Sequence, residues 1–214
     1  MQIIGRLNSI NVQKVIWCLA ELGKVEGTDY ERVDAGLEHG INNTADYLQM
    51  NPTGLVPTLV DGDFVLWESN AIVRYLAASM GAGSGLMPQD LKVRADSDRW
   101  MDWTLATLWP PVRTAFIGMN RTPEDKRNMT AIKAAYDDAT QQIRGLDNVL
   151  LEQPYCAGQT FTMGDIPTGL TVYRWMILAK RFPEQMGTPP AYQGVAQWLE
   201  RLGSRPAFKS VPAQ

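Results

Sequence analysis

The chain has two cysteines and one histidine in 214 residues, and those shortages remove several kinds of chemistry at once. Cys18 and Cys156 stand far apart with no CxxC, so neither a disulfide framework nor a structural zinc site has its ligands, and no metal is implied. With His39 alone, a Ser/His/Asp or Cys/His nucleophile system would have to use that one residue as its base. No run of about 18 apolar residues occurs, and residues 2–6 lack the basic n-region and long apolar stretch of a leader, which points to a soluble, cytoplasmic protein with no membrane partner. The formal charge of −3 comes without a cluster of Lys and Arg, so nucleic acid is not an expected partner either.

What is present is enough apolar material, 45% of the chain, for one large core or two small ones. The first third changes its periodicity repeatedly, as alternating strands and helices do. Residues 2–6 read as a strand. Val12, Val15, Ile16, Leu19 and Leu22 then recur at helical spacing up to Gly23, and residues 30–33 offer a second strand, closing a βαβ unit. A loop with a weak helix leads to residues 58–60 and 64–67, two antiparallel strands around Asp61-Gly62-Asp63. A helical stripe follows from Ser69 through Ile72, Val73, Tyr75 and Leu76. The Gly81-Ala82-Gly83-Ser84-Gly85 run breaks the chain, and no convincing strand lies beyond it. The expected organisation is an α/β domain over residues 1–80, a linker over 81–89 and an all-helical domain over 90–214. In the second domain, residues 90–117 and 123–151 read as two long antiparallel helices with a turn through Gly118 and Asn120. Thr162-Met163-Gly164-Asp165 has capping-box spacing at the start of a third helix, and residues 192–202 supply a further amphipathic one.

Three stretches carry a resemblance. Ser9-Ile10-Asn11-Val12-Gln13-Lys14-Val15, Asn51-Pro52-Thr53-Gly54-Leu55-Val56-Pro57-Thr58-Leu59 and Trp67-Glu68-Ser69-Asn70-Ala71-Ile72 resemble, in order and spacing, the glutathione-site motifs of the cytosolic glutathione transferases. The opening S-x-N-V-x-[RK]-V pattern is most similar to bacterial-looking, serine-type phi and theta-like members. The resemblance spans essentially the whole chain and implies a thioredoxin-like βαβ-ββα domain followed by an all-helical domain. It also implies glutathione as co-substrate, a small hydrophobic electrophile, and a homodimer formed through the helix after Ser69 and the helix from Asp90.

Residue by residue, Pro57 matches the family's cis-proline, which lets Val56 offer its backbone N–H and C=O to the cysteinyl part of glutathione. Ser69, at a strand-to-helix junction, is expected to cap its helix, whose free amides would face the γ-glutamyl carboxylate, while Glu68 would hold the γ-glutamyl amine. Ser9 matches the serine that donates a hydrogen bond to the glutathione sulfur. A plain helix cap is the other reading of Ser9, and Asn11 is its rival for the sulfur. Leu55 stands where the family has a glutamine, so one polar contact to glutathione is expected to be missing. His39 lies in the loop where relatives place a basic residue near the glycyl carboxylate, and contact with the ligand or a surface position are both open. Cys18 sits about two turns inside its helix, where the dipole no longer activates a thiol, and reads as a core residue. Trp103, Thr107 and Trp109 are the candidate lining of an electrophile pocket, closed by Leu7 from the first domain; most aromatic residues at helical spacing are core.

Overall fold

The computed structural model describes residues 1–211. The chain divides into two compact units, Met1–Met87 joined by the segment that starts at Arg205, and Pro88–Ser204.

In the first unit, β1 (Gln2–Ile4), α1 (Ile10–Glu21) and β2 (Glu31–Val33) form the expected βαβ, with Gln2 opposite Glu31 and Ile4 opposite Val33 in a parallel pair. α2 (Ala45–Met50) is the weak helix of the loop. β3 (Thr58–Asp61) and β4 (Phe64–Trp67) make the hairpin, and α3 (Ser69–Met80) closes the unit. The strand order is β2-β1-β3-β4, with β3 antiparallel to both neighbours. Successive residues of a strand face opposite sides, and in β1 both Ile3 and Ile4 are buried, so the sheet is covered twice. Ile4 packs with Tyr47 of α2, Ala35, Val56 and Val60 on one face. The other face, with Ile3 opposite Leu59, is left to α1 and α3, which pack on each other.

The second unit is helical: α4 (Leu91–Trp103), α5 (Trp109–Asn120), α6 (Met129–Glu152), α7 (Asp165–Arg181), α8 (Pro183–Met186) and α9 (Gln193–Ser204). Asp90 caps α4 by accepting from the amides of Lys92 (2.8 Å) and Val93 (3.1 Å). The long first helix expected from residue 90 is continuous in path but widens into a π-helical stretch at Thr104–Leu108. Pro110 and Pro111 explain it, because a proline ring collides with the carbonyl four residues back and supplies no N–H to the ladder. The expected turn at Gly118 and Asn120 is corrected too: both belong to α5. Gly118 is there for proximity, since a Cβ would lie 2.5 Å from Ile132 of α6. The second long helix starts at Asn128, whose side chain accepts from Ala131 N at 3.0 Å, and residues 124–126 ahead of it form a separate 3₁₀ turn.

The capping box at Thr162 forms in one direction only. The Asp165 carboxylate reaches back to Thr162 N (2.9 Å), but the Thr162 hydroxyl accepts from Ser97 Oγ (3.0 Å) rather than from the helix. Asp165 also accepts from Cys156 N (2.9 Å) and Trp198 Nε1 (3.0 Å), so one buried carboxylate ties α7 to the preceding loop and to α9.

Candidate active site in the first unit

The residues singled out in the first unit gather at the end of the sheet where β1 and β4 stop and β3, α1 and α3 begin. β1 stops at Ile4 because Gly5 and Arg6 turn the chain toward α1. A Cβ on Gly5 would come within 2.5 Å of Val12 and 3.1 Å of Val56, so a bare backbone is required for strand, helix and the Val56 segment to meet. The turn delivers Ser9 to the cap position of α1, with φ −85° and ψ 123°. It is buried, and its hydroxyl caps no amide of the helix, contrary to the plain-cap reading.

The Val56–Pro57 peptide is cis, as the motif leads one to expect. Sheet pairing begins only at Thr58, so the peptide groups of Val56 lie outside the ladder. Leu55 has its side chain 65% exposed, while its carbonyl is held by the Tyr47 hydroxyl and by Asn51 Nδ2 at 2.8 Å. Asn51 Nδ2 also reaches Thr58 Oγ1 at 3.0 Å, and that threonine is bonded to the Tyr47 hydroxyl at 2.8 Å. These bonds clamp the backbone ahead of the cis peptide without relying on the identity of residue 55.

At the start of α3 the expectation for Ser69 needs correcting. The cap position belongs to Glu68, whose carbonyl accepts the first helical bond from Ile72 N (2.9 Å), and Ser69 is already inside the helix. Glu68 adopts φ 71° and ψ 109°, a region that a non-glycine residue enters at a cost of roughly 1–3 kcal/mol, and its exposed side chain makes no cap. α3 then begins directly after the end of β4, with Ser69 and Asn70 as its first residues. Ser69 is buried, and its hydroxyl turns toward α1.

The side chain that meets it is Lys14, a residue whose importance sequence reasoning missed. Lys14 is 2% exposed, and its ammonium lies 3.0 Å from Asn11 Oδ1 and 3.5 Å from Ser69 Oγ, which is itself 3.4 Å from Asn11 Oδ1. Every residue from Val12 to Leu19 is buried, so a lysine within that run must carry its charge to a polar destination.

The remaining candidates are less gathered. His39 ends a 3₁₀ turn at Leu37–His39, is exposed, and has Nε2 3.4 Å from Glu38 of the same turn. Leu7 is half-buried two residues ahead of Ser9. Cys18 is fully buried, its thiol pushed up by desolvation and secondarily by Glu21, as suits a core residue. In the second unit, Trp103 stands edge-on to Trp100 and lines a cleft of about 420 Å³ with Arg99, Gln141, Leu146 and Val149. Trp109 instead lies beside the Arg174 guanidinium of α7, and Thr107 sits half-buried in the π-helical stretch between the two tryptophans. Among the described residues no helix is long and apolar enough to cross a membrane.

A mixed four-stranded sheet entered through a cis-proline, followed by a helical unit, defines a thioredoxin-like domain with an all-helical companion. Residues 4–78 match the family model described as the glutathione S-transferase N-terminal domain. The chain is 38% identical over 209 residues to the glutathione S-transferase GstB of Escherichia coli, covering 97% of this chain and 95% of that one. The glutathione-bound crystal structure of the theta class glutathione S-transferase from Xanthomonas axonopodis pv. citri superposes with a TM-score of 0.88 at 42% identity, covering 100% of this chain and 97% of the other. The human glutathione S-transferase theta-2B is 34% identical over 67% of this chain and 60% of its own. The chain belongs to the glutathione S-transferase family.

Proposed function

We propose that this protein transfers glutathione to small, largely apolar electrophiles, with Ser9 donating a hydrogen bond to the glutathione sulfur. The observation that carries the reading is the meeting of three features at one end of the sheet: a Ser9 hydroxyl at the start of α1 that caps no helix amide, the peptide groups of Val56 outside the sheet ladder beside cis-Pro57, and the first amides of α3. Each suits one part of a γ-Glu-Cys-Gly tripeptide. Val56 pairs with the cysteinyl backbone, the amides of Ser69 and Asn70 receive the γ-glutamyl carboxylate, and Glu68 receives the γ-glutamyl amine. His39 is assigned to the glycyl end, and Leu55 contributes its anchored backbone rather than a side-chain bond.

The energetics suffice without a histidine base. A thiol of pKa about 8.5 becomes mostly thiolate at neutral pH with a shift of roughly two units, about 2.7 kcal/mol. A hydrogen bond to a charged group supplies about 1.5–3 kcal/mol, and a helix N-terminus adds about 0.3–1 kcal/mol. Stabilised thiolate held beside an electrophile then gains from proximity. We assign the electrophile's contacts to Trp103, Thr107 and Trp109 in the helical domain, residues 90–214, and glutathione to residues 1–80, with a short linker over 81–89. A cytoplasmic homodimer through α3 and α4 completes the proposal, and sedimentation of the purified protein at twice the monomer mass is the expected result.

The test is the thiolate absorbance of bound glutathione. Ser9→Ala is expected to raise the apparent thiol pKa by one to two units, about 1.4–2.7 kcal/mol, and to lower haloaromatic conjugation correspondingly. An unchanged thiol pKa removes Ser9 from the mechanism. Calorimetry that finds glutathione bound, with no conjugation of any electrophile tried, would instead indicate a binding protein on this fold.

A further inference from the structure

Given the glutathione reading above, we propose that Lys14 is a positioning residue for the thiolate site, fixing the amide of Asn11 so that its NH₂ group, and not its oxygen, is presented to the sulfur. An asparagine amide has an acceptor edge and a donor edge that differ little in shape, and what surrounds it decides which way each points. An ammonium has three donors and no acceptor. Lys14 Nζ at 3.0 Å therefore can be met only by Oδ1, and the opposite edge of the amide, Nδ2, is turned away from the lysine. The Ser69 hydroxyl reinforces the choice, lying 3.5 Å from Nζ and 3.4 Å from Oδ1 so that it accepts from the first and donates to the second.

The device needs a buried cation to work. At the surface, water would compete for Nζ and the amide could rotate at little cost. Lys14 is 2% exposed and Ser69 6% exposed, so the contact is shielded and the orientation is held. With the lysine gone, the flipped amide would set an oxygen against a thiolate, turning an attractive contact into a repulsive one. The same contact joins the first turn of α1 to the first turn of α3, the two helix starts assigned to the sulfur and to the γ-glutamyl carboxylate. Lys14 touches neither group of glutathione in this account; its effect on the reaction passes through Asn11.

A double-mutant cycle tests the assignment, using Lys14→Met, Asn11→Ala and the pair, with thiolate absorbance, kcat at saturating haloaromatic electrophile, and glutathione Kd by calorimetry. Lys14→Met is expected to lower thiolate fraction and kcat about tenfold, the factor that one charge-assisted hydrogen bond supplies, while Kd moves less than about threefold. Added to Asn11→Ala, it is expected to cost nothing further, and Lys14→Arg is expected to restore most of the loss because it keeps a donor facing Oδ1. If the losses multiply, or if Lys14→Met conjugates like wild type, the assignment is overturned. Should Lys14→Met fail to fold, Asn11→Asp decides: it keeps the partner of Lys14 but replaces the NH₂ donor with oxygen, and a thiolate fraction equal to wild type would overturn the assignment. A wild-type protein that binds no glutathione overturns the underlying reading instead.

Discussion

At the scale of single residues, the first unit shows how much a site depends on side chains whose meaning lies in what they touch. Val56 and Pro57 were legible from sequence because the motif names a backbone conformation, which the local chain determines. Lys14 was not. Its position in a helix says nothing about Ser69, 55 residues away, until the packing of α1 on α3 brings them together. Ser69 itself was misread by one position, because the turn that starts α3 places Glu68 at positive φ, and no residue type signals that choice when the residue is not glycine or asparagine. A different case is Tyr136. Its ring stacks on Trp175 with centroids 5.9 Å apart, but its buried hydroxyl finds no partner among the described residues. The group carries a desolvation cost with no bond to offset it. Tyr136→Phe keeps the stack and is expected to raise stability by about 1 kcal/mol, read as a rise in Tm of roughly 2–4 °C in thermal unfolding. A fall in Tm would mean that the hydroxyl is engaged.

At the scale of elements, the α4–α5 helix and the start of α7 show where sequence patterns stop short. Apolar spacing across residues 90–117 predicted one helix, and it is one path, but the period cannot report the π-helical stretch that Pro110 and Pro111 impose. The capping box was legible by spacing, yet its threonine is taken by Ser97 of another helix, a contact that spacing does not contain. What remains is Asp165, which serves three N–H donors from three parts of the helical unit. Asp165→Ala strands all three and is expected to cost about 3–5 kcal/mol in urea unfolding. Its pH behaviour follows from burial. Desolvation raises its pKa, outweighing the lowering by Cys156, Thr162 and Trp198, so the folded protein holds this proton more readily than the unfolded chain. That contribution to stability is full below the unfolded carboxylate pKa and is lost as pH rises through the folded one. The stability difference between wild type and Asp165→Asn is therefore expected to shrink as pH rises out of the carboxylate range. A difference independent of pH would show that the bonds to the carboxylate dominate its titration.

At the scale of the whole molecule, a strand-bearing part followed by a helical part was legible from the change of periodicity along the chain, but the return of the chain was not. The segment from Arg205 rejoins the first unit. Arg205 Nη2 and Nε bond the Glu21 carboxylate at 2.6 and 2.7 Å, Trp17 Nε1 donates to the same group at 2.9 Å, and the Phe208 ring meets Trp17 edge-on at 4.9 Å. The Glu21 side chain is only 8% exposed, so removing its guanidinium partner leaves a buried charge poorly compensated. Arg205→Ala is expected to cost about 2–4 kcal/mol. Thiol labelling offers a specific check, since Cys18 lies on the same helix and is wholly buried: the variant is expected to expose it to a thiol reagent at least tenfold faster, while Cys156 in the other unit reacts as before. Equal acceleration at both cysteines would mean that the two units unfold together.

The Glu21–Arg205 pair, 184 residues apart in sequence, also sets an order of events during synthesis. Residues 1–80 leave the ribosome before the helical unit, carrying the whole four-stranded sheet and α1, α2 and α3, but the face of α1 that carries Trp17 and Glu21 stays bare while that unit is being made. Until Arg205 and Phe208 emerge, the nascent chain displays a large aromatic side chain and a carboxylate with no guanidinium to meet it, a surface that a chaperone could hold and that the segment from Arg205 then covers.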